Sequence, residues 1–285
     1  MAFEFVIHGQ RTWYSGPPVR DKAMTAIRDP GVAENRAPNA PAPPQPELDL
    51  SLVAPVYNEE ENLAPLYERV KQIFGETLRW ELLLVDDGSK DRSPVIMREL
   101  AKRDVRVRGV FFAHNCGQTT ATRAGILAAR APLIATIDAD LQNDPVDLPK
   151  MIELLGENDA VVGYRLKRND NFVRRASSRI ANRIRNWISA DDIRDTGCSL
   201  KLFRAHAIRE VPIMFEGMHR FLPTLLRYYG FKVIEHPVSH HPRRAGVSKY
   251  GVMNRAWRAF KDLLAVRWMR GRIRRMPIIT ETPRE

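Results

Sequence analysis

Short apolar runs alternate with segments of helical periodicity from residue 48 onward. Apolar runs at 48–58, 80–89, 105–115, 131–140 and 159–165 end in polar residues, as buried strands and their following loops do. The intervening segments at 59–76, 91–103, 118–129 and 149–156 have the length and spacing of helices. In the first of them, Leu63, Leu66 and Val70 recur at three and four residues. The alternation predicts an α/β domain with a mostly parallel sheet flanked by helices.

The two ends of the chain differ from this domain. Residues 1–47 include the stretch RAPNAPAPPQPE, whose composition predicts an extended arm and linker. The domain is predicted over 48–250, and a basic amphipathic helix and tail over 251–285. The apolar positions of that helix follow steps of three and four: Met253, Trp257, Phe260, Leu264 and Trp268. Such a face suits a membrane interface, but it also suits packing on the core or a dimer contact.

The charge of the chain indicates the kind of partner that it binds. The 285 residues include 45 Lys and Arg against 34 Asp and Glu, which gives a net charge of +11 and a pI near 9.9. The excess is local, with eight basic and one acidic residue in 165–187 and eleven basic and one acidic in 243–275. A basic excess confined to two segments predicts an anionic partner, which could be nucleic acid, anionic lipid or a phosphorylated substrate.

The composition disfavours membrane-spanning, secreted and disulfide-rich proteins. No run of the chain approaches the 18 apolar residues of a transmembrane helix, and the N-terminus lacks the pattern of a secretory signal. Two cysteines, Cys116 and Cys198, cannot form a disulfide scaffold. We therefore expect a cytoplasmic, reducing location.

Polar residues gather where the predicted strands end. Tyr57, Asn58 and Glu59 follow the first strand, Asp86 and Asp87 the second, and the D-x-D-x-Q segment at 138–142 the fourth. In a sheet of parallel strands these ends share one edge, where ligands bind. If 138–142 is extended, residues two apart point the same way, so three oxygen-bearing side chains would converge on Mg²⁺ or Mn²⁺.

Four motifs in order resemble those of family-2 glycosyltransferases. They are PVYNEE at 55–60, VDDGSKD at 85–91, GQT at 117–119 and DADLQ at 138–142. The nearest group is the dolichol-phosphate mannosyltransferase-like enzymes, which make polyprenyl-phosphate sugars, and the resemblance covers about 48–250. It implies a Rossmann-like GT-A fold, a UDP- or GDP-hexose donor, Mg²⁺ or Mn²⁺, and inversion at the anomeric carbon.

The resemblance also implies roles for individual residues. The residues that would contact the nucleotide sugar are Pro55, Tyr57, Asn58, Glu59, Asp86, Asp87, Gln118, Asp138 and Ala139. Asp140 and Gln142 would hold the metal, and Asp138 would act catalytically beside the sugar. The acceptor phosphate would be bound by Arg165, Arg179, Arg244 and Lys249.

Whether the reaction needs a general base depends on the chemical group that accepts the sugar. A sugar hydroxyl must lose a proton as it attacks, whereas a phosphate monoester already carries negative charge and needs only cations to hold it. Asp195 lies in a loop where related enzymes carry a possible base, although a turn aspartate would look the same. His236, His240 and His241 do not complete a familiar metal-binding spacing.

The favoured hypothesis is an inverting, metal-dependent transfer of a hexose to polyprenyl (dolichyl or undecaprenyl) phosphate, by a peripheral enzyme at the cytoplasmic face of an anionic membrane. The alternative is the same fold acting on a hydroxyl of a glycan or a diacylglycerol. A specific nucleic-acid binder is disfavoured, because no zinc-finger or RNP-like motif is present and acidic strand ends would repel phosphates. Intact Asp138, Asp140 and Gln142 argue against an inactive scaffold. The oligomeric state stays open.

Overall fold

The computed structural model describes residues 3–7, 10–14, 47–165, 186, 188–241 and 252–273, with the backbone alone for 3–7, 10–14 and 252–259. The chain divides into two compact units, Met1–Gln45 and Pro46–Glu285. In the first unit, strands β1 (Phe3–Ile7) and β2 (Gln10–Tyr14) pair antiparallel. The second unit contains an α/β domain.

Seven strands in the described part of the second unit form one mixed sheet. They are β3 (Leu50–Val56), β4 (Trp80–Asp86), β5 (Val107–Phe111), β6 (Leu133–Thr136), β7 (Ala160–Arg165), β8 (Lys201–Arg204) and β9 (Val233–Val238). Their order across the sheet is β5-β4-β3-β6-β8-β7-β9, and β8 runs antiparallel to both of its neighbours. The predicted α/β class with a mostly parallel sheet is confirmed.

Helices cover both faces of this sheet. They are α1 (Glu60–Phe74), α2 (Ser93–Arg103), α3 (Gln118–Ala128), α4 (Leu148–Leu155), α5 (Ala205–Glu210), α6 (Leu222–Tyr228) and α7 (Val252–Arg270). Short 3₁₀ turns at Pro145–Asp147 and Met218–Phe221 precede α4 and α6. Among the described helices, none has the length and apolar character needed to span a bilayer.

Two hydrophobic cores lie on opposite faces of the sheet. Along β3, Leu52 and Ala54 belong to one core and Val53 to the other, because successive side chains of a strand point to opposite faces. Helices α1, α2 and α4 cover the first core, and α3, α5, α6 and α7 cover the second. The predicted apolar face of α1 is buried, since Leu63, Leu66 and Val70 are each 0 % exposed.

One sequence-based expectation about strands was wrong, and two strands were missed. The fourth predicted strand was expected to continue through Asp140, but β6 ends at Thr136 and a turn follows. Strands β8 and β9 were not predicted, because β8 has only four residues and β9 carries Glu235, His236 and Pro237. Their strand conformation depends on pairing with β6 and β7, which local sequence does not reveal.

The packing of α3 on the sheet requires a glycine. A Cβ atom on Gly125 would overlap the side chain of Val53 and come within 3.1 Å of Val85 Cγ2. Both valines are buried in strands and have stiff side chains, so they cannot move aside easily.

We therefore expect Gly125→Ala to lower the free energy of unfolding by roughly 1–2 kcal/mol, because overpacking outweighs the helix propensity gained. Urea unfolding measures this change. Leu127→Ala, at a position 61 % exposed on the same helix, is the control and should shift stability by less than about 0.5 kcal/mol. An alanine variant as stable as the wild type would contradict the packing argument.

Candidate active site

The loops that follow β3 and β4 are tied together at the carboxyl edge of the sheet. The backbone N–H of Asn58 donates to Ser89 Oγ at 2.9 Å, and the backbone N–H of Lys90 donates to Asn58 Oδ1 at 2.7 Å. Asn58 has a φ of 55°, a left-handed conformation that asparagine tolerates better than most residues. The predicted nucleotide residues Tyr57 and Glu59 flank it, so the loop conformation sets where both lie.

The two aspartates after β4 organise neighbouring backbone. Asp86 Oδ1 accepts a hydrogen bond from the N–H of Ser89 at 3.2 Å. The Asp87 carboxylate accepts from the N–H of Cys116 at 2.7 Å and from the N–H of Gly117 at 3.0 Å. Burial raises the pKa of Asp87, and these hydrogen bonds oppose the shift. Asp87 therefore holds the loop that begins α3, whatever else it contacts.

A glycine is required between these loops. Gly88 has a φ of 71°, and a Cβ atom there would lie 2.5 Å from the backbone carbonyl carbon of His114. Only glycine allows this approach without displacing backbone. The D-D-G-S motif thus has a structural reason for its third residue.

The D-x-D-x-Q segment forms a turn. Leu141 has a φ of 58°, and the N–H of Gln142 donates to Asp140 Oδ1 at 3.2 Å. The expectation that an extended backbone aligns Asp138, Asp140 and Gln142 is therefore wrong. A side chain that accepts from a backbone N–H two residues on is typical of an Asx turn, which aspartate favours after a strand.

Asp138 is the most electrostatically perturbed carboxylate of this turn. Gln118 Nε2 donates to Asp138 Oδ1 at 2.8 Å, and the N–H of Asp138 donates to Ser199 Oγ at 3.1 Å. Burial, and then the neighbouring negative charge of Asp140, raises the pKa of Asp138 to about 6. The structure thus brings together Gln118, Asp138 and Asp140, three of the predicted site residues.

Arg165 and Asp195, which were assigned to different roles, are paired with each other. Arg165 Nε donates to Asp195 Oδ2 at 2.7 Å and Nη2 donates to Oδ1 at 3.0 Å, a bidentate geometry. Asp195 raises the pKa of the Arg165 guanidinium, and Asp138 contributes a smaller effect of the same sign. A carboxylate that accepts two such bonds takes up a proton less readily than a free one.

The remaining predicted residues have simpler positions. Pro55 lies in β3 opposite Val85, Ala139 is buried, and Glu59 Oε2 accepts from Asn62 Nδ2 at 2.7 Å. Gln142 is half-buried, and its carbonyl accepts from the N–H of His241 at 2.7 Å. Three predicted phosphate-binding residues lie outside the described part of the chain: Arg179, Arg244 and Lys249.

Two residues near these groups were not predicted from the sequence. Lys201 in β8 is 4 % exposed, its Nζ donates to the carbonyl of Cys198, and burial lowers its pKa. Asp138 and Asp195 both favour its charged form. His240 has a buried Nδ1 with no hydrogen-bond partner among the described residues, and burial, followed by the positive charge of Arg165, lowers its pKa. The available signal for Lys201 was a lysine within the apolar run SLKLF.

The thiol of Cys198 is unreactive in this setting. Burial raises its pKa to about 11, despite the opposing effect of Lys201. A thiol rather than a thiolate is therefore present near neutral pH, which excludes Cys198 as a nucleophile.

A neutral histidine joins the beginning of α3 to the turn before α6. Thr119 Oγ1 accepts from the N–H of Gly217 at 2.9 Å and lies 2.7 Å from His219 Nδ1. Which of the two groups donates in this second contact depends on the tautomer of the His219 ring. Burial, followed by the positive charge of Arg220, lowers the pKa of His219 to about 3.

The described residues do not include three His, Cys, Asp or Glu side chains placed to hold a metal ion by themselves. Mg²⁺ is commonly held by one or two carboxylates together with substrate phosphates. The negative charge of Asp140 contributes to the raised pKa of Asp138, which shows that the two carboxylates repel each other. A cation bound between them would relieve this repulsion. The donor set at this turn therefore fits a site completed by a diphosphate.

A mostly parallel α/β sheet with acidic loops at its carboxyl edge is the architecture of GT-A glycosyltransferases. The family model for Glycosyl transferase family 2 matches residues 51–211. The chain belongs to this family and is a glycosyltransferase.

Two curated relatives are similar over most of the chain. A dodecaprenyl-phosphate galacturonate synthase from Rhizobium johnstonii is 45 % identical over 230 residues, which cover 78 % of this chain and 68 % of the relative. An undecaprenyl-phosphate 4-deoxy-4-formamido-L-arabinose transferase from Edwardsiella ictaluri is 38 % identical over 207 residues, 72 % of this chain. The match covers 63 % of that second relative, less than two thirds of its length.

Solved structures show the same fold. Glucosyl-3-phosphoglycerate synthase from Mycobacterium tuberculosis, in complex with Mn²⁺, UDP and glucosyl-3-phosphoglycerate, has a TM-score of 0.59 at 15 % identity, with 80 % of this chain and 81 % of that chain covered. A mannosyltransferase from Pyrobaculum calidifontis with GDP-Man and Mn²⁺ has a TM-score of 0.57 at 17 % identity, with 86 % and 70 % covered.

His219 makes stability depend on pH in a defined direction. Its pKa is about 3 when folded and near 6.5 when unfolded, so acidification below about 6.5 protonates the unfolded chain first and lowers stability, down to about pH 3. The contribution is roughly 1.4 kcal/mol per pH unit at most, or about 2 kcal/mol by pH 5. His219→Asn cannot titrate and should lose correspondingly less stability between pH 7.5 and 5, as measured by urea unfolding. Equal losses in the two proteins would contradict the assignment.

Proposed function

We propose that this chain transfers a sugar from a nucleoside diphosphate sugar to a polyprenyl phosphate, with inversion and with Mg²⁺ or Mn²⁺, as a peripheral enzyme at the cytoplasmic face of a membrane. The names of the two relatives, which specify dodecaprenyl phosphate and undecaprenyl phosphate, support the acceptor class. The transferred group is given as a sugar and not as a hexose, because one relative is named for an arabinose derivative.

The observation that carries the proposal is the contrast of charge at one edge of the sheet. Asp138 and Asp140 form a negative pair, and the Arg165 guanidinium lies within electrostatic reach of Asp138. A cation held against a diphosphate suits the first group, and an anionic acceptor suits the second. Two anionic substrates can therefore be held beside each other without direct repulsion.

On the donor side, Asp140 and Gln142 would hold the cation, and Gln118 orients Asp138 through its hydrogen bond. When bound, the cation supplies the charge that stabilises the nucleoside diphosphate as it leaves. Asp138, anchored through its backbone to Ser199, would face the sugar between the diphosphate and the acceptor.

On the acceptor side, the pairing of Arg165 with Asp195 favours a phosphate over a hydroxyl. Both carboxylate oxygens of Asp195 accept hydrogen bonds from the Arg165 guanidinium, so Asp195 is engaged as a partner of Arg165 and is not held free as a general base. A phosphate needs no base, and the planar fork of Arg165 suits two phosphate oxygens if Asp195 yields one of its bonds.

Asp195→Asn separates the two acceptor classes. With a phosphate acceptor we expect kcat to fall by less than about tenfold, because no proton is removed, whereas loss of a true general base costs about 10²–10⁴-fold. Arg165→Gln should instead raise the KM for polyprenyl phosphate by about tenfold or more. Asp192→Asn, a change at an exposed aspartate nearby, is the matched control.

The assay is transfer of radiolabelled sugar from a panel of UDP- and GDP-sugars to undecaprenyl phosphate, followed by extraction into organic solvent. Thermal melting of each variant shows whether the fold survives. A kcat reduced a thousandfold by Asp195→Asn in a folded protein would favour the hydroxyl alternative. Label that stays in water with every donor would count against the lipid-phosphate acceptor.

Removal of the cation provides a second test. We expect chelation by EDTA to abolish transfer and added Mn²⁺ or Mg²⁺ to restore it, because the negative pair at 138 and 140 cannot hold a diphosphate alone. Asp140→Asn should weaken Mn²⁺ binding in the presence of UDP by at least about tenfold, measured directly by calorimetry. Asp192→Asn should bind Mn²⁺ like the wild type. Full activity in EDTA would refute the metal requirement.

A further inference from the structure

Helix α7 presents an apolar stripe to solvent. Phe260, Leu264 and Trp268 are 40 %, 46 % and 64 % exposed, at spacings of four residues. The helix packs on the domain through a different face, where Leu263 and Val266 are 6 % and 1 % exposed. The described part of the predicted apolar face therefore does not pack on the core, which was one of the alternatives for it.

Basic side chains border this stripe. At about 3.6 residues per turn, Lys261 falls on one side of the stripe and Arg267 on the other. The Arg272 guanidinium lies over the Trp268 ring, 5.7 Å from its centroid. The helix contains one acidic residue, Asp262, which lies against Gly217 on the side of the domain.

The side of α7 opposite the stripe is connected to the edge of the sheet that carries the candidate active site. Gly217 meets Asp262, and a Cβ atom on Gly117 would lie 2.5 Å from Glu216 Oε2. Gly117 belongs to the loop held by Asp87. Just before Glu216, Met214 and Phe215 are 62 % and 60 % exposed.

We propose that the stripe forms a docking surface for an anionic lipid bilayer, in which α7 lies in the plane of the membrane interface. We call Phe260, Leu264 and Trp268 the α7 surface. The inference deepens the proposed function and rests on it for a membrane-borne acceptor. Apolar side chains with Trp among them, bordered by Lys and Arg, match the chemistry of such interfacial helices.

Charge selects the bilayer over a second copy of the chain. The basic residues that border the stripe are Lys261, Arg267 and Arg272, whereas Asp262 lies toward the domain and Arg270 lies over the Tyr228 ring. Two such faces brought together would repel each other, whereas anionic headgroups would neutralise them. Because the packed side of α7 contacts Gly217, and Glu216 meets the Gly117 loop, docking through α7 would hold the candidate active site in a fixed position relative to the headgroups, where a polyprenyl phosphate presents its phosphate.

Vesicle sedimentation tests the surface directly. We expect the wild type to bind vesicles of phosphatidylcholine with about 30 mol% phosphatidylglycerol far better than phosphatidylcholine alone, and less well at high salt. The double variant Leu264→Ser with Trp268→Ser should lower the partition coefficient by at least about tenfold. The matched control is Val105→Ser with Leu127→Ser, at positions 93 % and 61 % exposed elsewhere, and it should bind normally.

Two further experiments test the role of the basic residues and the role of the membrane-borne acceptor. Lys261→Gln with Arg272→Gln should reduce the preference for phosphatidylglycerol while leaving the apolar residues in place. With a water-soluble short-chain prenyl phosphate, the Leu264 and Trp268 double variant should keep wild-type turnover. With undecaprenyl phosphate in vesicles its turnover should fall about tenfold or more, in line with its binding.

The outcomes separate docking from function. Equal vesicle binding by the wild type and the folded double variant would overturn the docking surface and leave the proposed function standing. Vesicle binding that depends on the α7 surface, without transfer to any prenyl phosphate, would support docking and overturn the function. A concentration-dependent dimer abolished by the double variant, with no vesicle binding, would overturn the proposal in favour of a second copy of the chain.

Discussion

The candidate active site depends on one constraint, which is that carboxylates gathered at the edge of a sheet must each be given a hydrogen-bond donor. Parallel strands bring their carboxyl ends together, so Asp87 and Asp138 follow neighbouring parts of one sheet. Asp87 is satisfied by backbone N–H groups of the loop before α3, and Asp138 by Gln118 at the start of the same helix. The beginning of α3 therefore serves both carboxylates, and its close packing through Gly125 keeps it in place.

Negative charge that remains after this pairing lies where we propose that the sugar donor binds. Asp138 retains a raised pKa because of burial and Asp140, in spite of the buried ammonium of Lys201. A cation that binds at such a place is stabilised, because it relieves the repulsion between the two carboxylates. Arg165 and Asp195 present the opposite arrangement, in which charges already balance, so under the proposed function an entering phosphate would have to compete for the guanidinium. The proposed donor and acceptor subsites would thus differ in charge within one edge of the sheet.

The α7 surface extends this arrangement toward the environment of the acceptor. Its exposed side chains and its basic borders lie on a helix whose opposite face is part of the second core. Because Gly217 and Glu216 connect α7 to the loop before α3, the docking surface and the loop that orients the carboxylates belong to one packed unit. Membrane contact and substrate orientation would then be coupled by rigid packing.

Much of this organisation was readable from the residues. The alternation of apolar runs and helical faces determined the α/β class, and the four ordered motifs indicated the family that the comparisons confirm. Both follow from local rules: side-chain periodicity sets burial, and Asp, Asn and Gly end strands. The tertiary structure decided what those rules do not contain. Leu141 turns the D-x-D-x-Q segment, β8 brings Lys201 beside Asp138, and Arg165 meets Asp195 across thirty positions of the chain. These contacts join residues distant in sequence, and only the pairing of strands and the packing of loops brings their charges within reach of one another.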